Sequence, residues 1–182
     1  MECCYGNGTH LGGSMNLHRW QTRFFALLFS RFPGLTARWL KRQRLHDYGP
    51  PPWTRLPKPL PACTIALVTT AGVHLRDDEP FDMVDKEGDP TYRVIPQKTP
   101  RNHLCITHDY YDHRDADKDV NIVLPLDRLQ ELANDEVIGT VAPFHYSFMG
   151  HIDGRHVARL LTETAPEVAR RLKQERVEAG EG

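Results

Sequence analysis

The run CTIALVTTAG, at residues 63 to 72, constrains the fold more than any other stretch of this chain. Its apolar and β-branched residues follow one another with little polar alternation and stop at Gly72, which predicts a buried strand. Strands buried on both faces are typical of parallel sheets, in which helices cover both sides. The run therefore favours an α/β domain.

Further segments fit such a domain. Strands are predicted at residues 92 to 95, 104 to 107 and 121 to 125, and a strand or loop at residues 140 to 151. An amphipathic helix is predicted from residue 126, because four apolar residues share one face: Leu126, Leu129, Leu132 and Ala133. Alternating strands and helices predict a mostly parallel sheet.

Residues 155 to 177 are predicted to be helical, in two helices that join near Ala165. Thr164 would be the N-cap of the second helix and Pro166 would lie in its first turn. The preceding chain is predicted to be a disordered leader at residues 1 to 15, a helical segment at 16 to 46 and a connector at 47 to 62. Six prolines lie between residues 47 and 61, which disfavours regular structure there. Residues 63 to 182 would form the single α/β domain.

Composition excludes several classes of function. The chain has 23 Lys and Arg against 24 Asp and Glu, so nothing indicates a nucleic-acid partner. The longest apolar run, FFALLF, is far shorter than the roughly 20 residues that a membrane span needs. The four cysteines show no CxxC or zinc-finger spacing, so a reducing, cytoplasmic setting is expected. Cys63 and Cys105 lie at or in predicted strands and are expected to be buried and inert.

Polar residues follow three of the predicted strands, at residues 69 to 74, 108 to 112 and 145 to 147. In open α/β sheets, ligands bind outside the carboxyl ends of the strands. The three clusters are therefore expected to meet around one concave site. Gly72 would let the backbone turn sharply or approach a ligand closely.

The stretch LCITHDYYDHRDADKD, at residues 104 to 119, has three interpretations. It is an acid/base site, a polar loop whose aspartates initiate turns, or the metal site of a hydrolase. The metal ligands would be His108, Asp109, Asp112 and His113. Helical spacing would instead pair His113 with Asp117, on a different face. No GxGxxG, GxxxxGK[ST] or GxSxG motif supports nucleotide binding or a hydrolase elbow.

Several ordered segments carry a family resemblance. They are ALVTTAGVHLRDDEPFDM, GDPTYRVIP, NIVLPLDRLQEL, IGTVAPFHYSFMG and TAPEVARRLKQERV, between residues 48 and 177. In this order they resemble the selenoprotein B family of glycine, sarcosine, betaine and D-proline reductases, and in particular its short bacterial members. The resemblance implies a Rossmann-like or flavodoxin-like fold. It also implies reductive cleavage of a carbon–heteroatom bond, with thiols oxidised to a disulfide.

With this resemblance, we expect His108, Asp112 and His145 to be catalytic, because histidines donate protons near neutral pH. Thr70, Gly72, His74 and Ser147 are expected to bind the substrate, a small amine or amino-acid-like molecule. Other reductase subunits or a thiol reductant are the implied partners. No cofactor and no metal is expected.

The chain departs from the family pattern at its end. In the family, the helix that resembles residues 164 to 177 leads into a strand, and a selenocysteine or cysteine with a further cysteine three residues on comes next. This sequence ends at VEAGEG. The domain is therefore expected to be truncated, without that strand, and an open sheet edge would leave homo-oligomerisation possible. A non-catalytic ligand-binding or assembly module of the same fold is the alternative.

Overall fold

The computed structural model describes residues 54 to 181 and six positions between residues 24 and 34. These residues belong to two compact units. The first holds Leu56–His108 and residues 113 to 181, and the second holds Asp109–Asp112 with the described positions before residue 56. The predicted leader at residues 1 to 15 and nearly all of the predicted helical segment at 16 to 46 lie outside the described residues.

The first unit is built on a five-stranded sheet around β1 (Thr64–Thr69), the strand predicted from the apolar run. Three strands run parallel to β1: β5 (Thr140–Val141), β6 (Phe144–Phe148) and β7 (Ala179–Glu181). The fifth strand, β3 (Tyr92–Pro96), runs antiparallel to β6.

A separate antiparallel pair joins β2 (Val73–Leu75) to β4 (Leu104–Ile106), with Val73 opposite Ile106. The α/β class is thus confirmed, but the mostly parallel Rossmann-like or flavodoxin-like sheet is not, because the sheet is mixed. The physical reason lies in the connections. Between β1 and β3 the chain forms β2 and a loop but no crossover helix, and β3 pairs antiparallel with β6 at the edge of the sheet.

The helices predicted after residue 125 are present. They are α1 (Leu126–Asn134), α2 (Arg155–Arg159) and α3 (Ala165–Gln174), with a π-helical turn at Leu160–Thr164 joining the last two. Among the described residues, none of the helices is long and apolar enough to cross a membrane.

Two local predictions are wrong, and one is confirmed only in part. Residues 121 to 125 form no strand, because Val120–Ile122 is a 3₁₀ turn whose N-cap Asp119 accepts a hydrogen bond from the Asn121 amide. Leu132 is 40% exposed, so the apolar face of α1 rests on Leu126 and Leu129. Thr164 has helical backbone angles and makes no capping hydrogen bond, since the π turn carries the helix through it.

The core of the first unit lies between the sheet and α3. Tyr146 and Phe148 of β6 pack with Val168 of α3, because alternate residues of a strand share a face. Partly buried residues complete this cluster: Val68, Tyr92, Val94, Ile152, Leu160 and Leu172. The opposite face of β6 carries His145 and Ser147, both fully buried.

A strand, β7, follows α3, so the prediction that the chain lacks a strand after this helix is wrong. Ile65 of β1 pairs with Val141 of β5 and also with Ala179 of β7, so β5 and β7 lie on opposite edges of β1. Where β7 begins, the Glu178 carboxylate accepts a hydrogen bond from the Thr64 backbone N–H at 2.7 Å. Lys58 also pairs with this carboxylate, at 2.8 Å. These contacts fix the start of β7 beside the start of β1.

Candidate functional site

Gly72 is the point at which three chain segments meet. Its N–H donates to the carbonyl of Phe148 at the end of β6 (3.0 Å), and its carbonyl accepts from Thr107 at the end of β4 (2.9 Å). Its φ of +70° favours glycine, and a Cβ there would stand 2.5 Å from the Thr107 carbonyl oxygen. Gly72 therefore joins the two sheets through a backbone approach that a side chain would block.

His108 lies in a slot between two glycines. A Cβ on Gly72 would stand 3.3 Å from the His108 Cβ, and a Cβ on Gly150 would stand 3.3 Å from His108 Nε2. The same Gly150 position is 2.7 Å from the carbonyl oxygen of Thr70, just past β1. The structure thus gathers Thr70, Gly72 and His108 where β1, β4 and β6 end.

A cleft opens beside this junction. It has a volume of about 330 Å³ and lies at the carboxyl end of β1. The residues that line it are Leu67, Val68, Thr69, Thr70, Val123, Leu124 and Pro125. Pockets for small molecules begin at roughly this size. Thr70 belongs both to the cleft and to the junction around His108.

His74 is buried beneath the junction. Its Nδ1–H donates to the Leu75 carbonyl at 2.7 Å, and its Nε2 lies 2.9 Å from the Thr107 hydroxyl. The neutral ring with Nδ1 protonated satisfies both contacts if the hydroxyl donates to Nε2. Desolvation by burial lowers the pKa of His74, which keeps this ring neutral. His74 therefore anchors the residue that precedes His108.

His145 lies elsewhere, inside the sheet. Its Nδ1 accepts the backbone N–H of Leu67 at 2.9 Å, and its Nε2–H donates to Gln97 Oε1 at 2.7 Å. Leu67 precedes Thr70 by three residues, about 10 Å along a strand. Burial, and secondarily the charge of Arg101, lowers the pKa of His145 to about 4. The ring is neutral and has both nitrogens engaged.

Ser147 is fully buried, paired with Thr69 of β1 and Arg93 of β3. Its hydroxyl has no hydrogen-bond partner among the described residues. Asp112 belongs to the second unit, where it is half-buried. The sequence-predicted roles of both residues stay predictions.

The predicted pairing of His113 with Asp117 is confirmed, with Nδ1 2.9 Å from the carboxylate. A different group has ligand atoms within 4.8 Å of one another: Asp85, Glu87 and His156. The His156 hydrogen bond is the first cause that lowers the pKa of Asp85 to about 2. Arg155 forms ion pairs with both carboxylates. The Arg155 guanidinium thus already supplies the positive charge that a metal ion would bring. The group acts as an ion-pair cluster between a loop and α2.

The described cysteines are both buried, as predicted. Cys63 is a free thiol whose sulfur donates to the Lys58 carbonyl at 3.4 Å. Cys105 is disulfide-bonded. Neither offers an accessible thiolate to a substrate.

Sequence reasoning missed two members of the junction, Thr107 and Gly150. Thr107 is a single polar residue at the end of an apolar run, so the sequence pattern did not mark it as a site residue. Gly150 lies two residues after the strand at residues 144 to 148, and a glycine near a strand end is a signal for close backbone approach. Gly150 lies three residues after Ser147, so the sequence alone carried this signal.

Comparison with known proteins identifies the family of the chain. The family model for glycine/sarcosine/betaine reductase selenoprotein B matches residues 54 to 180. The chain belongs to this selenoprotein B family. D-proline reductase subunit gamma of Acetoanaerobium sticklandii is 41% identical over 130 residues, which are 71% of this chain and 52% of that relative. The chain therefore spans about half the length of this selenoprotein B relative. No solved structure matches this chain.

Proposed function

We propose that this chain is a component of a reductase that cleaves a carbon–heteroatom bond in a small amine or amino-acid substrate. The observation that carries the proposal is the meeting of Thr70, Gly72 and His108 beside a cleft, within the segment that matches the family. Membership of the family supports the reaction class, and the cleft is large enough to hold a small substrate.

The reaction needs two electrons and two protons. Oxidation of two thiols to a disulfide releases both, and the cleaved carbon and the departing nitrogen each gain a hydrogen. We assign proton donation to His108, because its imidazole lies beside Thr70 at the cleft end of β1. Cys63 is buried and Cys105 is bonded, so we propose that the thiols come from outside residues 54 to 181. Free thiols of this kind persist in a reducing compartment such as the cytoplasm, whereas the Cys105 disulfide is typical of an oxidising one.

The remaining predicted residues take supporting roles in this proposal. Thr70 offers a hydroxyl and a carbonyl to the substrate, and Gly72 and His74 hold the His108 segment through Thr107. Ser147 and Asp112 are proposed contributors to substrate binding and proton transfer. His145 would have to break two buried hydrogen bonds before it could transfer a proton, so we place it last among the proposed acids.

Reconstitution tests the proposal. The purified chain is combined with partner reductase components and a dithiol, and D-proline or glycine is supplied. We expect chain-dependent product by mass spectrometry, with two thiols consumed for each bond cleaved. His108→Ala should reduce turnover by roughly a hundredfold or more, whereas His103→Ala, at an exposed position, should not. Ligand-induced stabilisation without turnover in any combination would favour a binding module and remove the catalytic claim.

A further inference from the structure

We infer that Gly150 is a positioning residue that holds the His108 imidazole against the carboxyl end of β1. The inference rests on the proposed function only where it assigns His108 to proton donation. Gly150 follows Met149, which lies just past β6 and forms an isolated bridge with Ala71. Its Cα thus lies at the place where the chain leaving β6 passes the chain leaving β1.

The absence of a side chain at residue 150 is what permits this approach. A Cβ would stand 2.7 Å from the Thr70 carbonyl oxygen, closer than Cβ atoms approach oxygen in real proteins, and 3.3 Å from His108 Nε2. The Thr70 contact is with backbone, which cannot rotate aside. A side chain would therefore move the end of β6 away from Thr70 and would also crowd the His108 ring at Nε2.

The lack of a side chain at both glycines leaves room for His108. A Cβ added at Gly72 would stand 3.3 Å from the His108 Cβ, and a Cβ added at Gly150 would stand 3.3 Å from His108 Nε2. The two glycines come from different strand ends, so they fix the ring relative to both β1 and β6. A proton donor must hold its geometry closely, since a displacement of about 1 Å can cost roughly a hundredfold in rate.

Gly139 provides a matched control. A Cβ there would stand 2.7 Å from the backbone carbonyl oxygen of Cys63, the same clash as at Gly150. Gly139 lies beside the start of β1, at the opposite end of the strand from Thr70. Gly139→Ala should therefore cost at least as much stability as Gly150→Ala without touching His108.

The test compares the two variants in NMR titrations and in turnover. Gly150→Ala should shift the titration midpoint of the His108 ring and lower kcat roughly tenfold or more, with the substrate KM changed less. Gly139→Ala, at equal or greater loss of stability, should leave the His108 midpoint and kcat unchanged. Equal effects of the two variants on the His108 midpoint would overturn the inference.

A measurement on the unaltered protein covers the case in which Gly150→Ala fails to fold. The backbone amide of Gly150 should shift with pH at the same midpoint as the His108 ring, whereas the Gly139 amide should not follow that midpoint. A Gly150 amide that does not follow His108 contradicts the inference. These titrations need no substrate, so they separate failure of the positioning role from failure of the reductase proposal.

Discussion

The Nδ1 atom of His145 takes the place of a backbone carbonyl in the sheet, accepting the N–H of Leu67 at 2.9 Å. Just before this point Ala142 donates to the Ile65 carbonyl, and just after it Tyr146 pairs with Val68. The imidazole therefore bridges the gap in the ladder between β5 and β6. A buried N–H without an acceptor is costly, so this ring has a structural task that is independent of any chemistry.

Replacement of His145 tests that task. His145→Ala leaves the Leu67 N–H unpaired and opens a cavity, so we expect a loss of roughly 2 to 4 kcal/mol in the free energy of unfolding. His145→Asn retains an acceptor oxygen near the position of Nδ1 and should lose less than half as much. Urea unfolding measures both. Equal losses for the two variants would show that the acceptor does not matter.

The same ring predicts how stability depends on pH. Its pKa is about 4 in the folded protein, against 6.5 unperturbed. Between these values the unfolded chain binds the proton and the folded chain does not, so the free energy of unfolding falls as pH drops from about 6.5 to 4, by roughly 3 kcal/mol at most. His74, whose pKa is also lowered, acts in the same direction. His145→Asn should show a shallower fall, and parallel curves would contradict the assignment.

Local pattern predicted the elements that are set by short-range physics. The apolar run gave β1, the 3.6-residue periodicity gave α1, and the i,i+4 spacing gave the His113–Asp117 pair. The grouping of Thr70, Gly72 and His108 followed from their positions after strands. Each of these predictions needs only the residues of one segment, or the rule that strand ends meet at one edge of a sheet.

Gly72 should tolerate no side chain. Gly72→Ala adds a Cβ at a φ of +70° and 2.5 Å from the Thr107 carbonyl oxygen, so we expect a loss of roughly 3 kcal/mol or more. Gly154→Ala is the control. It also has a positive φ, but its Cβ would meet the Glu87 side chain, which can rotate away, so about 1 kcal/mol is expected. Thermal or urea unfolding compares them. A Gly72 variant no less stable than the Gly154 variant would refute the close approach.

Glu178 should control how firmly β7 is attached. Glu178→Ala removes the acceptor of the Thr64 N–H and the partner of Lys58. We expect faster amide hydrogen exchange along β7 and at Ala66, on the β7 edge of β1, with little change at Tyr146 in the core. Glu178→Gln, which retains an acceptor oxygen, should restore part of the protection. Unchanged exchange in the alanine variant would show that β7 is held without Glu178.

The errors that concern topology and the histidine site share one cause. The position of β4 outside the main sheet, the strand β7 and the engagement of His145 by Leu67 and Gln97 all depend on partners distant in sequence. A histidine after a strand looks the same whether its ring faces a cleft or replaces a carbonyl in a ladder. Only the three-dimensional pairing distinguishes His108 from His145.

The central claim is that a small amino-acid substrate binds at the junction of Thr70, Gly72 and His108. The most direct test follows the histidine ring signals of the purified chain by NMR while D-proline or glycine is added. We predict a saturable shift of the His108 ring, with half-saturation near millimolar substrate or below, and no shift of the exposed His103 ring. No saturable change at His108, or equal changes at both rings, would contradict the claim.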